Sequence, residues 1–325
     1  MKAIVRTRYG PPDVLQLEEI EKPTPKDDEV LVRVHAASVN AYDWHVLRGK
    51  PFFMRLMGFG FLKPKNKRLG ADIAGRVEAV GRDVKQFKLG DEVFGSKLGG
   101  FAEYVCARGN ALALKPANMS FEEAAAVPMA AVTALQGLRD KGQIQPGQKV
   151  LINGASGGVG TFAVQIAKSF GAEVTAVCST KNLDKARSIG ADQVIDYTQE
   201  DFTKNGQHYD LILAANGHHS ILAYKRALSL KGAYVMTGGS VAQLFQTMLL
   251  GRLITMTGGK KMYNLMANLN QEDLVFMKEL LEAGKVVPVI ERRYPLSQAA
   301  EAVRYVEEGH AQGKVIITLE PDDKA

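Results

Sequence analysis

Cysteine is almost absent: Cys106 and Cys178 are the only two in 325 residues. Two cysteines cannot build a disulfide framework, and without a CxxC pair there is no structural zinc ribbon. Such sparing use suits a reducing compartment, so a cytoplasmic location is expected. Long apolar runs are also missing. The longest uncharged stretch, Gly232 to Gly251, contains four glycines with Thr237, Ser240, Gln243, Gln246 and Thr247. That is too polar for a membrane span, which needs ~20 largely apolar residues. A charged-then-apolar leader is not expected either, because Arg6 and Arg8 interrupt the first ten residues. Net charge is modest, with 41 Lys+Arg against 35 Asp+Glu giving +6. A nucleic-acid surface would concentrate basic residues and interleave them with aromatics. The one dense basic cluster, Lys63-Pro-Lys-Asn-Lys-Arg68, contains no aromatic. It reads as a solvated loop, with an anionic partner or peripheral membrane contact as the alternative.

What the chain has in excess is glycine, at 32 of 325 residues, against ~7% in an average protein. Many tight turns, or backbone that approaches a ligand, are implied. At one domain per ~150 residues the length predicts two domains. The first 115 residues read as β-rich, with Val30–His35 and Asp72–Val80 as strands and shorter ones at Asp91–Phe94 and Phe101–Val105. Ser120 followed by Glu123 predicts a capped helix start. From Lys149 apolar strands alternate with amphipathic helices. Strands are expected at Val150–Ile152, Glu173–Val177, Gln193–Ile195, Tyr209–Leu213 and Ala233–Met236, and a last one at Leu253–Met256. That rhythm predicts an α/β fold with a doubly wound parallel sheet. Beyond Gln271 come a helix, an apolar run, a second helix at Leu296–Glu307 and a closing strand at Val315–Leu319.

The strongest chemical signal is Asn153-Gly-Ala-Ser-Gly-Gly-Val-Gly160, which follows a strand and opens a helix. Gly154, Gly157, Gly158 and Gly160, with Ser156 and Val159 between them, form a variant of the dinucleotide-binding fingerprint. Missing side chains let backbone N–H groups reach a pyrophosphate, and the helix N-terminus supplies partial positive charge. An NAD site usually has an acid at the end of the next strand. Here that strand runs into Cys178-Ser-Thr-Lys-Asn182, with no acid between Glu173 and Asp184. Ser179, Thr180 and Lys181 suit a 2′-phosphate, so NADPH is the expected cofactor.

These features, with Ser38–Asp43, Arg48-Gly49, Leu69–Gly75, Gly90–Phe94, Gly100–Tyr104, Ala131–Leu135, Gly190-Ala-Asp192, Val194–Tyr197 and Gly313-Lys-Val315, resemble the medium-chain dehydrogenase/reductase superfamily in its zinc-independent quinone oxidoreductase branch. The resemblance implies a Rossmann domain (residues 120–258) inserted in a β-rich, partly open barrel-like catalytic domain (1–119 and 259–325), and a homodimer. Zinc relatives place a cysteine in the stretch matching Ala36–Asn40 and a Gly-His-Glu where this chain has Gly70-Ala-Asp72. Asp72 alone cannot hold a catalytic zinc, which needs about three protein ligands. His35, His45 and His218-His219 read as ordinary packing or surface histidines. No metal is expected.

Without a metal, hydride must go to an acceptor already polarised by conjugation, such as a quinone or an α,β-unsaturated carbonyl. Asn40 is the expected hydrogen-bond donor to the developing oxyanion, and Tyr42 and Asp43 are candidates for orienting substrate or relaying a proton. On the cofactor side the resemblance implies Thr133, Tyr197, Ala215, Asn216, Gly238, Gly239 and Lys314. Met248, Met256, Met262 and Met266 are expected either to line an adaptable acceptor pocket or to pack in a core. The alternative functions are an enone, alkenal or enoyl reductase of the same fold, and a non-catalytic NADPH-binding protein.

Overall fold

The computed structural model describes residues 1–52, 54–257 and 259–319. The expected Rossmann end at 258 and the final six residues of the expected 259–325 segment lie outside the described residues. The chain forms two compact units. One comprises Met1–Met129, Leu269–Glu282 and Pro288–Ala325, the other Ala130–Asn268 with Ala283–Val287. The crossings fall ten residues beyond positions 119 and 258 in both cases (129 and 268), for a packing reason given below.

The first unit opens with the antiparallel pair β1 (Lys2–Val5) and β2 (Gln16–Glu19). It continues through β3 (Glu29–Val39), α1 (Ala41–Arg48), β4 (Asp72–Val80), β5 (Glu92–Ser96), β6 (Tyr104–Arg108), β7 (Leu112–Leu114) and α2 (Phe121–Ala125). Ser120 caps α2 by accepting from the Glu123 N–H, and α2 packs on β3 and β4, which holds the residues after 119 to this unit. β3 organises the sheet because it is long enough to serve two partners on one edge, β6 along residues 29–33 and the late strand Lys314–Thr318 along 36–39. Its other edge pairs with β4, and the register slips between Val34 and Ala36. Val30, Val32 and Val34 enter the core before the bulge, Ala37 and Val39 after it. One extra residue therefore flips the face presented. Ser38, which the original alternation would have pointed into that core, moves to the opposite face beside its register partner Asp72.

The second unit is built from α3 (Pro128–Leu135), β8 (Lys149–Asn153), α4 (Gly158–Ser169), β9 (Glu173–Cys178), α5 (Leu183–Ser188), β10 (Gln193–Asp196), β11 (Tyr209–Ala214), α6 (Ile221–Ala227), β12 (Leu228–Met236), α7 (Val241–Thr257) and β13 (Lys261–Asn264). All strand pairs are parallel, in the order β10-β9-β8-β11-β12-β13. Strands covered on both faces read as continuous apolar runs, which is why β8, β9 and β11 are visible in the sequence. Leu253–Met256 is not the last strand: it lies inside α7, and the sixth strand is the polar-looking β13. A four-residue run of Leu-Ile-Thr-Met has no period long enough to separate helix from strand. Because β13 belongs to the parallel sheet, the unit extends past 258. The four methionines do not act together: Met248, Met256 and Met266 are exposed, and only Met262 joins the core.

The chain returns to the first unit with α8 (Gln271–Glu282), β14 (Ile290–Pro295), α9 (Ala299–Glu307) and β15 (Lys314–Thr318). The sheet there runs β14-β15-β3-β4-β5-β7, and β14 does not pair with β7, so no closed barrel forms among the described residues. Apart from the parallel β14/β15 pair it is antiparallel.

Candidate functional site

β15 lies antiparallel to β3 with Val315 opposite Val39. One step further in that register brings Lys314 opposite Asn40, and the Lys314 ammonium donates to Asn40 Oδ1 at 2.5 Å. The Asn40 amide in turn donates to Asp72 Oδ2 at 2.9 Å and, more weakly, to the Ser38 carbonyl at 3.4 Å. The Ser38 hydroxyl donates to the same Asp72 oxygen at 3.0 Å, and the Met129 N–H to Asp72 Oδ1 at 3.1 Å. Lys314 Nζ stands 3.7 Å from Asp72 Oδ2. Ser38, Asn40, Asp72 and Lys314 are all buried. Burial pushes the Asp72 carboxyl up, against the pull of the Lys314 ammonium and of the Asn40, Ser38 and Met129 donors. Burial pushes Lys314 down, against the attraction of Asp72 and Asp43.

Tyr42 and Asp43 sit on the first turn of the helix α1. Eight residues are too short for hydrophobic periodicity to announce a helix. Asn40 occupies the N-cap, and its backbone N–H donates to Asp43 Oδ2 at 2.8 Å. Asp43 is fully buried, and desolvation pushes its carboxyl up to about 7, against the Asn40 N–H and Lys314 and with repulsion from Asp72. The Gly70 N–H lies near enough to favour the ionised form yet leaves Oδ1 without a well-formed bond. Burial also raises the half-buried Tyr42 phenol, which keeps it protonated as a donor.

Asn40 therefore differs from the expected free donor. Both amide hydrogens point at protein acceptors, because its side chain is diverted from helix capping into the network. Lys314, placed on the cofactor side by the resemblance, carries the proton-rich end of this cluster. From the sequence Asp72 is weighed only as a metal ligand and Ser38 only as part of a motif, so their place in this network was not expected. A signal existed: Asp72 is an acid inside the apolar run Ala71-Asp-Ile-Ala74, which a solvent-facing carboxylate would not need. Three of the histidines pack, while His218 is exposed. His35 stacks on Phe121 at 4.3 Å, the His45 ring nitrogen meets the Lys50 carbonyl at 2.9 Å, and His219 stands edge-on to Phe202 and Tyr224. Among the described residues no three His, Cys, Asp or Glu side chains converge as a metal cage.

In the second unit the remaining candidates gather at the carboxyl ends of the parallel strands. Gly154–Gly160 links β8 to α4, Ser179–Lys181 follows β9, Tyr197 follows β10, and Ala215-Asn216 and Gly238-Gly239 follow β11 and β12. The backbone N–H groups of Ala215 and Asn216 both donate to the Asn153 carbonyl, and Gly217 bridges to Gly239. This is the crevice at which doubly wound sheets bind dinucleotides. Thr133 is buried in α3 and has no hydrogen bond to the glycine loop among the described residues. Near the β9 end an acid does appear, but from the neighbouring strand. Asp196 of β10 accepts from the Thr180 hydroxyl and from Thr198, and these donors pull its carboxyl below the usual range. Thr180 is thus engaged. Ser179 accepts from Asn182 at 3.1 Å, which leaves its own proton free to donate. Lys181 and Tyr197 are exposed.

The loop fits a pyrophosphate. A Cβ on Gly160 would lie 2.0 Å from the Gly154 carbonyl oxygen, so that glycine lets α4 start hard against the turn. A Cβ on Gly157 would meet nothing closer than 3.7 Å, so the protein itself does not require glycine there. Gly157→Ala should change stability by no more than about 1 kcal/mol yet weaken nicotinamide cofactor binding at least about tenfold, by occupying the space a phosphate would take. Thermal melting and fluorescence titration of the cofactor separate the two effects. Wild-type affinity in Gly157→Ala would show that no phosphate passes this position.

Two family profiles match the chain: an alcohol dehydrogenase GroES-like domain over residues 26–117 and a zinc-binding dehydrogenase domain over 189–317. The chain is 36% identical over 336 residues to the 2-methylene-furan-3-one reductase of Solanum lycopersicum, covering 98% of this chain and 79% of that protein. It is 35% identical over 319 residues to the chloroplast envelope quinone oxidoreductase homolog of Arabidopsis thaliana, covering 93% of each. Among solved structures, the quinone oxidoreductase from Coxiella burnetii superposes with a TM-score of 0.86 at 31% identity, covering 98% of this chain and 99% of that one.

Proposed function

Because the chain belongs to the medium-chain dehydrogenase/reductase superfamily, we propose that it reduces a conjugated carbonyl at the Lys314–Asn40–Asp72 network, without a metal and with NADPH preferred. It is an NAD(P)H-dependent oxidoreductase of the quinone-, enone- and alkenal-reducing kind. The observation that carries the proposal is the buried Lys314 ammonium, which makes one short bond to Asn40 and keeps further protons available. A bound reduced nicotinamide supplies the hydride. The chain's own residues manage the charge that follows. Lys314 donates to the acceptor oxygen as it becomes an oxyanion, in a buried setting where such a bond counts for more than in water. Asp72 favours the charged form of Lys314 against burial, and Asn40 fixes its direction by taking one of its hydrogens. Tyr42 supplies a second, neutral donor. In this arrangement the cation held at Asp72 is the lysine's own ammonium, which supports the metal-independent reading.

Steady-state rates with NADPH on a panel of simple quinones, alkenals, cyclic enones and saturated alcohols, with and without chelator, test the proposal. Turnover of quinones or enones that chelator leaves intact is expected; loss of activity on chelation, restored by zinc, would overturn it. For cofactor choice, Lys181 and the free Ser179 hydroxyl are the proposed 2′-phosphate donors. Lys181→Ala should weaken NADPH by about ten- to a hundredfold, the worth of one charge-assisted hydrogen bond, and leave NADH unchanged. Equal weakening of both cofactors, measured by titration, would move the phosphate site elsewhere.

A further inference from the structure

Between the buried Asp43 and the buried Asp72 the chain contains no acidic residue, yet Arg48, Lys50, Arg55, Lys63, Lys65, Lys67 and Arg68 all fall there. Two of these cations are used internally. Arg48 pairs with Glu307 at 2.7 Å, and Arg55 donates to the Gly49 carbonyl while lying 4.4 Å over the Tyr9 ring. Lys63, Lys65 and Lys67 are exposed, and among the described residues none pairs with a carboxylate. The same segment exposes large apolar side chains: Phe52 at 55%, Leu56 at 67%, Phe61 at 54% and Leu62 at 82%. Phe52 and Phe61 touch edge to face with centroids 5.6 Å apart, so these two exposed rings form one apolar patch.

The segment is braced rather than loose. The Tyr9 hydroxyl lies 2.8 Å from the Phe59 carbonyl and 2.7 Å from that of Gly60, and the Lys65 N–H donates to Phe59 O at 2.8 Å. Gly60 has φ +102°, and a Cβ there would lie 2.1 Å from the Lys63 carbonyl oxygen. Only glycine permits so tight a turn, and the exposed Phe61, Leu62 and Lys63 follow it directly in the chain. Beside them lies an open depression lined by Gly58, Phe59, Lys65, Asn66 and Leu98. Water gains nothing from these apolar side chains, and the lysines that follow them select a partner that is apolar inside and anionic at its surface.

We propose that this protein docks on an anionic lipid bilayer, with Phe52, Leu56, Phe61 and Leu62 entering the interface and Lys63, Lys65 and Lys67 meeting headgroup phosphates. Docking of this kind is peripheral. No described helix is long and apolar enough to cross a membrane, and clustered lysines with neighbouring apolar side chains are two signals that reinforce each other. Phe59 also meets Tyr42 edge-on at 6.2 Å, so the docking segment runs from the bilayer to the candidate active site. The inference stands apart from the reductase reading, because vesicle binding is measured without turnover.

Flotation of the full chain with phosphatidylcholine vesicles, with and without 30 mol% phosphatidylserine, tests it. Wild type should float with the anionic vesicles, weakly or not at all with the neutral ones, and release as salt is raised. The triple variant Lys63→Gln, Lys65→Gln, Lys67→Gln should lose about 10²-fold in partitioning, at roughly fivefold per lysine near such a surface. The double variant Phe61→Ala, Leu62→Ala should fall at least about tenfold while keeping its salt dependence. Melting temperatures and rates on a water-soluble acceptor should match wild type in both variants. Equal flotation with neutral and anionic vesicles would overturn the proposal, as would unchanged binding by either variant. Absence of vesicle binding alongside tight binding of a single-stranded RNA probe would overturn it in favour of a nucleic-acid surface.

Discussion

Replacing Lys314 with methionine is expected to lower kcat by about 10²–10³-fold, the usual worth of an acid or oxyanion donor acting at the reacting atoms. Methionine keeps most of the volume but strips the ammonium from a site only 2% exposed, and it leaves Asp72 as an uncompensated buried charge. Breaking a buried pair from one side destabilises by about 3–5 kcal/mol. The informative variant is therefore the double Lys314→Met, Asp72→Asn, which removes both charges together. It should melt close to wild type and remain slow, with KM for the acceptor changed much less than kcat. An enone should suffer more than a quinone, because its enolate is the more basic oxyanion. The pH profile adds a readout that packing alone would not move. Burial lowers the Lys314 pKa below its ordinary value, so the wild-type rate should fall on the alkaline side earlier than a solvent-exposed lysine would allow. That limb should vanish in the double variant. Single-turnover rates unchanged in the double variant would remove Lys314 from the chemistry. Asn40→Ala is the gentler companion: it frees Lys314 from its direction without removing the proton, so a smaller loss is expected.

Asp43→Asn is expected to stabilise the protein above neutral pH. The Asp43 carboxyl goes from an ordinary 3.8 to about 7 in the folded chain, so the native state binds this proton more tightly than the unfolded state does. Its contribution is complete below pH ~4 and is lost as the pH rises to about 7, after which it is constant. Three units correspond to about 4 kcal/mol at 1.36 kcal/mol per unit, as an upper figure. The neighbouring charges are Asp72, which repels the anion, and Lys314, which attracts it. Arg6 also feels Asp43 from the other side, with its own guanidinium lowered to about 10 by burial. Urea unfolding at pH 4.5, 6 and 8 should show wild-type stability falling across the series and the variant falling less. An asparagine carbonyl can still accept from the Asn40 N–H, so the start of α1 should survive. Parallel pH dependences for the two proteins would place the titrating group elsewhere.

The parallel sheet was legible because β8, β9 and β11 are covered on both faces and so appear as unbroken apolar runs. The glycine loop was legible because its chemistry is local, lying within eight consecutive residues. The elements that went unseen were short or carried no period. α1 spans only eight residues, and β13 is a polar edge strand of four. The run at Leu253–Met256 fits helix and strand equally well. The region proposed to take a 2′-phosphate was half legible. Its hydroxyls and lysine are consecutive, whereas the carboxylate engaging Thr180 comes from Asp196 on the adjacent strand, and strand adjacency is not written in any one segment.

The order of short motifs along the chain was enough to identify the superfamily and the two-unit organisation and to point to a dinucleotide-binding loop, since each of these depends on local pattern. The network proposed to be catalytic is of another kind. Lys314 is 274 positions from Asn40, and Asp72 joins them only because β3 slips by one residue between Val34 and Ala36. That slip turns Ser38 away from the core and toward Asp72, and the antiparallel register of β15 then carries Lys314 to Asn40. Register across distant strands is set by how whole faces pack against water and against each other. The roles proposed for Asp72 and Lys314 therefore rest on tertiary structure.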